Sequence, residues 1–174
     1  MVNRNIEIKA RAKDLKETLR LARALSDSPP LALVQEDVFF NAPAGRLKLR
    51  TINDESSELI YYERSNETGP KTSGYIRAAV PDPRLMRELL GRAYGVRGIV
   101  RKRRTLCLVG ITRVHLDEVE GLGNFVELEV VLPEDGSAEE GVRIAREIMR
   151  KLHVDDSSLV GGAYIDLLTR AGTK

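Results

Sequence analysis

Cysteine is almost missing from this chain: Cys107 stands alone, so no intrachain disulfide can form and nothing points to an oxidising compartment. Histidine occurs only twice, too sparsely for a zinc site built from His and Cys. Aromatic residues make up 5% of the chain and tryptophan is absent, which leaves no material for the stacking platform of a single-strand nucleic-acid binder. An excess of charge of one sign is also lacking. The net value is +2, so attraction to nucleic acid or to a membrane surface finds no whole-molecule support. No apolar run is long enough to cross a bilayer, and Met1 to Lys9 is polar where a secretory leader would be apolar. The expectation is a cytoplasmic protein with no membrane partner.

What is present is alternation. Between Gly45 and Thr51, the cations Arg46, Lys48 and Arg50 interleave with Leu47 and Leu49. A strand sends successive side chains to opposite faces, so three cations share one face and the leucines share the other. Glu127 and Glu129 repeat the pattern with opposite charge, interleaved with Val126, Leu128 and Val130. Several such strands of opposite sign in one small protein suggest a sheet curled into a barrel or tunnel. Its charged face would look inward, toward a metal and a polyanion.

With 174 residues, 42% hydrophobic and 31% charged, the chain has apolar material for one core, and residues 1–174 read as a single domain without repeats or linkers. Asn5 to Ala10 alternates as a strand. Asp14 caps a helix carrying Leu15, Leu19, Ala22 and Leu25, which Pro29 and Pro30 end. Strands follow at Gln35 to Phe40, Arg46 to Thr51, Glu58 to Arg64 and Gly74 to Val80. A helix then begins near Asp82 and Pro83. Three more strands, Gly98 to Val109, Ile111 to Val119 and Asn124 to Leu132, precede a long helix from Ser137 to Lys151 and a short one after Gly162. The tight turns favour antiparallel neighbours. The fold class is therefore α+β with about eight strands.

The candidate chemistry lies in charged residues on strand faces. Arg101 to Arg104 splits by parity into Lys102 with Arg104 and Arg101 with Arg103, and only one pair can face inward. Arg64 and Lys9 add further cations. Inward Lys and Arg repel one another unless an anion of several charges lies among them, and a triphosphate is such an anion. Glu7, Asp117, Glu127 and Glu129 are hard oxygen donors suited to Mg²⁺ or Mn²⁺. Each piece alone has a plain reading: a half-wetted strand, a solvated basic run or weak RNA-binding patch at Arg101 to Arg104, a satisfied barrel histidine at His115, a hairpin turn at Gly121 and Gly123. Their joint occurrence carries the functional reading.

These residues resemble the CYTH superfamily, the triphosphate tunnel enzymes, and within it most closely the class IV adenylyl cyclases. Asn5-Ile6-Glu7-Ile8-Lys9 sits where that family opens with Glu-x-Glu-x-Lys. Gly45 to Arg50, Glu58 to Arg64, Val100 to Thr105, Arg113 to Glu129 and the closing Tyr164, Asp166 and Leu167 follow in family order. The resemblance implies an eight-stranded antiparallel β-barrel, or tunnel, with flanking helices. It implies Mg²⁺ or Mn²⁺ held by Glu7, Asp117, Glu127 and Glu129, and phosphates gripped by Lys9, Lys48, Arg50, Arg64, Lys102 and Arg104. Glu7, Lys9, Arg113 and Asp117 form the implied catalytic set. The implied activity is ATP cyclisation to cyclic AMP and pyrophosphate, or triphosphate hydrolysis, on a small-molecule triphosphate such as ATP or tripolyphosphate. A non-catalytic nucleotide- or polyphosphate-binding tunnel is the alternative, motivated by Asn5 in place of the first acid. Lys71 and Ser73 stand where cyclase-like members often carry Arg and Ser. A homodimer is left open.

Overall fold

The computed structural model describes residues 3–172. Eight strands run β1 (Asn3–Arg11), β2 (Leu31–Phe40), β3 (Arg46–Ile52), β4 (Ser56–Arg64), β5 (Lys71–Ala79), β6 (Val96–Val109), β7 (Thr112–Val119) and β8 (Gly123–Val131). Four helices, α1 (Leu15–Leu25), α2 (Pro83–Tyr94), α3 (Ala138–Lys151) and α4 (Tyr164–Arg170), join or follow them. The strands close into a barrel in the order β1-β5-β4-β3-β2-β6-β7-β8, and β8 returns to pair with β1. Every neighbouring pair is antiparallel. Closure leaves no unpaired strand edge.

The helix starts are set by the residues the sequence offers as caps. Asp14, Asp82 and Ser137 each accept a hydrogen bond at 3.0 Å from the backbone N–H three residues on, those of Glu17, Leu85 and Glu140. The largest boundary difference from the sequence reading is in β2, which begins at Leu31, four residues before the alternation at Gln35. Leu31 to Val34 pairs with Leu106 to Arg103 of β6. Leu31 and Val34 stay largely exposed, so this extension is held by backbone pairing and leaves no burial pattern to read.

Period-two alternation separates two environments. Outward, Ile6, Ile8, Val126, Leu128 and Val130 pack under α1 and α3 and are at most 2% exposed. A fully buried aliphatic side chain of this size contributes about 1.5–3 kcal/mol, so this row carries much of the barrel's stability. α3 seats closely because Gly141 faces the strand: a Cβ there would lie 2.6 Å from Ile6 Cγ1 and 2.8 Å from Leu132 Cδ2. On the other side, Val38, Phe40, Leu49 and Val80 meet Met86 and Leu90 of α2. Inward, the strands present the charged residues.

Phe39, Tyr62, Val100 and Phe125 come from the same end of four strands, and there Tyr164, Ile165 and Leu168 of α4 pack among them. The short helix plugs that end. Gly98 permits the approach, since a Cβ on it would meet Ile165 Cδ1 at 2.6 Å. The barrel or tunnel expected from the resemblance is present, and α4 closes one end of it, which gives a cup with its floor at α4 and its mouth at the far strand ends.

Candidate functional site

The cup encloses a cavity of about 230 Å³ into which eight Lys or Arg side chains and five carboxylates project. The chain as a whole is nearly neutral, so the positive excess here is a local concentration created by strand parity. Among the described residues, the inward face of β6 is that of Lys102 and Arg104, both buried, while Arg101 and Arg103 are exposed on the outside.

Two Lys-x-Arg strand segments form matching clamps. On β3, Lys48 Nζ donates to Asp37 Oδ2 at 2.9 Å, and Arg50 grips the same carboxylate with Nε to Oδ1 at 2.7 Å and a terminal nitrogen to Oδ2 at 2.8 Å. On β6, Lys102 Nζ lies 3.2 Å from Asp117 Oδ2, and Arg104 makes the same forked contact through two bonds of 2.6 Å. Cross-strand registry places the partners: Asp37 lies opposite Arg50, and Asp117 opposite Arg104. The second clamp holds more. Arg104 also donates to Glu127 Oε2 at 2.7 Å, and the Tyr164 hydroxyl donates to Asp117 Oδ2 at 2.9 Å.

Burial dominates the titration of the lysines. It lowers the Lys102 amine to about 7, aided by nearby Arg104 and only partly opposed by Asp117. It lowers Lys48 to about 8, with Arg50 adding to the effect. The carboxylates go the other way. Burial would raise Asp37, Asp117 and Glu127, but the surrounding cations outweigh it and hold all three below the ordinary range. At neutral pH the acids are ionised, whereas Lys102 is poised between its two states.

Near the floor, Lys9 lies 3.2 Å from Glu127 Oε1 and 3.8 Å from Glu7 Oε1, with its amine 4.2 Å from the Tyr164 ring centroid. Arg64 pairs with Glu7 and also donates to the carbonyl of Gly162 at 3.0 Å. Toward the mouth, Arg113 Nε meets Glu129 Oε2 at 2.9 Å. Donor atoms of His115, Glu127 and Glu129 lie within 4.8 Å of one another. Two carboxylates with a buried nitrogen between them fit a hard or borderline divalent ion.

The structure brings Glu7, Lys9, Lys48, Arg50, Arg64, Lys102, Arg104, Arg113, Glu127 and Glu129 onto the cavity wall. Asp117 lies behind that wall, fully buried among Arg104, Lys102 and Tyr164, and does not join the group of His115, Glu127 and Glu129. Asn5 lines the cavity with a buried Oδ1 that has no hydrogen-bond partner among the described residues. Lys71 donates to the carbonyls of Glu67 at 3.0 Å and Gly69 at 3.4 Å, an anchor for the loop before β5. Sequence reasoning missed Asp37. Its signal was parity, because Gln35, Asp37 and Phe39 share a face, but an acid between a glutamine and a phenylalanine looks like a solvated position until its neighbour strand is known.

Comparison with known proteins agrees with this geometry. The model of the CYTH domain matches residues 3–164. The chain belongs to the CYTH family. A Methanocaldococcus jannaschii protein named "putative adenylate cyclase" is 22% identical over 170 residues, covering 93% of this chain and 97% of that protein. Among solved structures, the PH1012 protein of Pyrococcus horikoshii is similar with a TM-score of 0.83 and 28% identity, covering 94% of this chain and 98% of that one. A Hippeastrum protein, described as an adenylyl cyclase candidate with a dominant triphosphatase activity, shares the fold. Its TM-score is 0.69 at 18% identity, over 98% of this chain and 97% of that one.

Proposed function

We propose that this protein is a divalent-metal-dependent enzyme that takes a triphosphate end-on into the cup and cleaves one of its phosphoanhydride bonds. The observation that carries the reading is the concentration of eight cations around a cavity closed at one end by α4, in a chain of net charge +2. The carboxylates on the wall offset only part of this charge, and the remaining excess, carried by forked guanidinium groups that match phosphate oxygens in pairs, suits a multiply charged anion. A linear triphosphate suits a cavity of about 230 Å³, leaving any organic group at the mouth near Leu33, Ile52, Tyr75 and Leu106.

In this reading Lys48 and Arg50 exchange part of their hold on Asp37 for phosphate oxygens. Lys9, Arg64 and Lys102 receive the end of the chain that reaches the floor. Arg104, fixed by Asp117 and Glu127, presents an oriented positive charge to the phosphoryl group in transfer. Glu127 and Glu129, with Glu7 on the neighbouring strand, would hold Mg²⁺ or Mn²⁺, which supplies Lewis-acid polarisation of a phosphoryl oxygen. The clamp positions phosphates in line for attack, either by water on a terminal phosphorus or by a ribose 3′-hydroxyl on the α-phosphorus.

Incubation with tripolyphosphate and with ATP, each with Mg²⁺ or Mn²⁺, tests the proposal. Orthophosphate release identifies the hydrolase form, and cyclic AMP with pyrophosphate the cyclase form. Tight binding of both compounds without product would reduce the protein to a polyphosphate-binding cup.

A further inference from the structure

Resting on the reading of the cup as a metal-dependent triphosphate site, we propose that His115 is a direct nitrogen ligand of the divalent ion and biases the site toward Mn²⁺ over Mg²⁺. His115 sits on β7 between Arg113 and Asp117, on the inward face, and is 4% exposed. Among the described residues its Nδ1 has no hydrogen-bond partner. A buried polar nitrogen left in that state costs free energy, so an unpartnered one calls for an explanation.

The surroundings of Nδ1 supply it. Glu127 Oε2 lies 3.7 Å away and Glu129 Oε1 4.0 Å away. Both distances are too long for hydrogen bonds. Both are shorter than the about 4.2 Å that separates opposite ligands of an ion with bonds of about 2.1 Å, so one ion can reach the imidazole and either carboxylate, with small side-chain shifts bringing adjacent ligands toward about 3.0 Å. The registry is responsible, because His115 lies directly opposite Glu127 and Arg113 opposite Glu129. The imidazole thus projects between the two carboxylates from the adjacent strand. A second buried and unpartnered donor, Asn5 Oδ1, lines the same cavity and offers a neutral oxygen.

This donor set has consequences for the metal. Mg²⁺ favours oxygen ligands and keeps its waters; Mn²⁺ also takes oxygen ligands, but as a first-row transition ion it accepts an imidazole nitrogen more readily than Mg²⁺ does. An imidazole that displaces one water therefore favours Mn²⁺ more than Mg²⁺. The hydrogen-bonded carboxylate pairs of Arg104 with Glu127 and Arg113 with Glu129 hold the other ligands in place, so the nitrogen is the element of the site that distinguishes the two ions.

The test is pulsed electron paramagnetic resonance of Mn²⁺ bound to the full chain, with Mn²⁺ alone and with tripolyphosphate added. The expected result is a nitrogen modulation that changes from the ¹⁴N to the ¹⁵N pattern when the protein is labelled with ¹⁵N-histidine. It should persist in His153→Gln, at an exposed position outside the cup, and vanish in His115→Gln. In competition titrations His115→Gln should lower the ratio of Mn²⁺ to Mg²⁺ affinity by about tenfold. The labelling arm needs no substitution, so it decides the matter even if the variant fails to fold. Mn²⁺ bound in a manner dependent on Glu127 and Glu129 but without nitrogen modulation would overturn this proposal and leave the metal site standing. Wild-type protein that binds no Mn²⁺ under either condition would overturn both.

Discussion

The two Lys-x-Arg clamps use the same residues at the same spacing on two strands, and each grips an aspartate on a neighbouring strand, yet they differ in freedom. Around Asp37, the Lys48 and Arg50 side chains keep 12% and 15% of their surface accessible, and among the described residues the carboxylate has no further partner than these two. Around Asp117, the lysine and arginine side chains are 3% and 4% accessible, and the carboxylate itself is fully enclosed with Tyr164 as an added donor. One motif therefore yields an exchangeable grip and a fixed one. The difference comes from the floor: α4 brings Tyr164 against Asp117, while nothing equivalent seals Asp37.

The largest expected contrast is in stability. Asp117→Ala leaves Arg104 and Lys102 buried without their shared counter-charge, and breaking a buried pair in this way costs about 3–5 kcal/mol. Asp37→Ala should cost clearly less, because Lys48 and Arg50 can reach water. Equal shifts of the thermal midpoints of the two variants would break the comparison.

Next in size is the effect on substrate. Arg50→Ala removes a forked, charge-assisted contact worth about 1.5–3 kcal/mol, so tripolyphosphate affinity should fall by about 10- to 100-fold, read by calorimetric titration. Asp37→Ala should act in the opposite direction, tightening tripolyphosphate by several-fold, since the clamp no longer has to surrender a carboxylate. Weaker binding in Asp37→Ala would instead show that this acid orients the cations.

The smallest expected effect is in protons. Burial lowers Lys102 to about 7 and Lys48 to about 8, and a polyanion beside them favours the charged amines. Binding should therefore take up protons at pH 8.5 and almost none at pH 6, where both amines already carry their charge. Titration in buffers of different ionisation enthalpy measures this. The Lys48→Met variant should lose the share of uptake that belongs to the exchangeable clamp and keep that of Lys102.

Much of the site was legible because strand parity is a local property. Glu127 and Glu129 had to share a face once Val126, Leu128 and Val130 marked the other, and the same logic placed Lys48 with Arg50. Parity alone could not choose between Arg101 with Arg103 and Lys102 with Arg104, and the resemblance to the CYTH family supplied the choice. Asp37 and His115 were harder. The meaning of each depends on what lies across the barrel or on the next strand, and nothing within a few residues of either announces that partner.

The chain by itself determined the alternation, the helix caps at Asp14, Asp82 and Ser137, and the eight-strand count, because each follows from neighbours within one or two turns of chain. Only the tertiary structure decided that the tunnel is plugged by α4, that Asp117 is sealed while Asp37 is not, and that an unpartnered imidazole nitrogen stands between two carboxylates. The physical reason is that barrel closure and strand register join residues far apart in sequence. Burial and charge pairing at these positions are properties of the enclosure, not of any one strand.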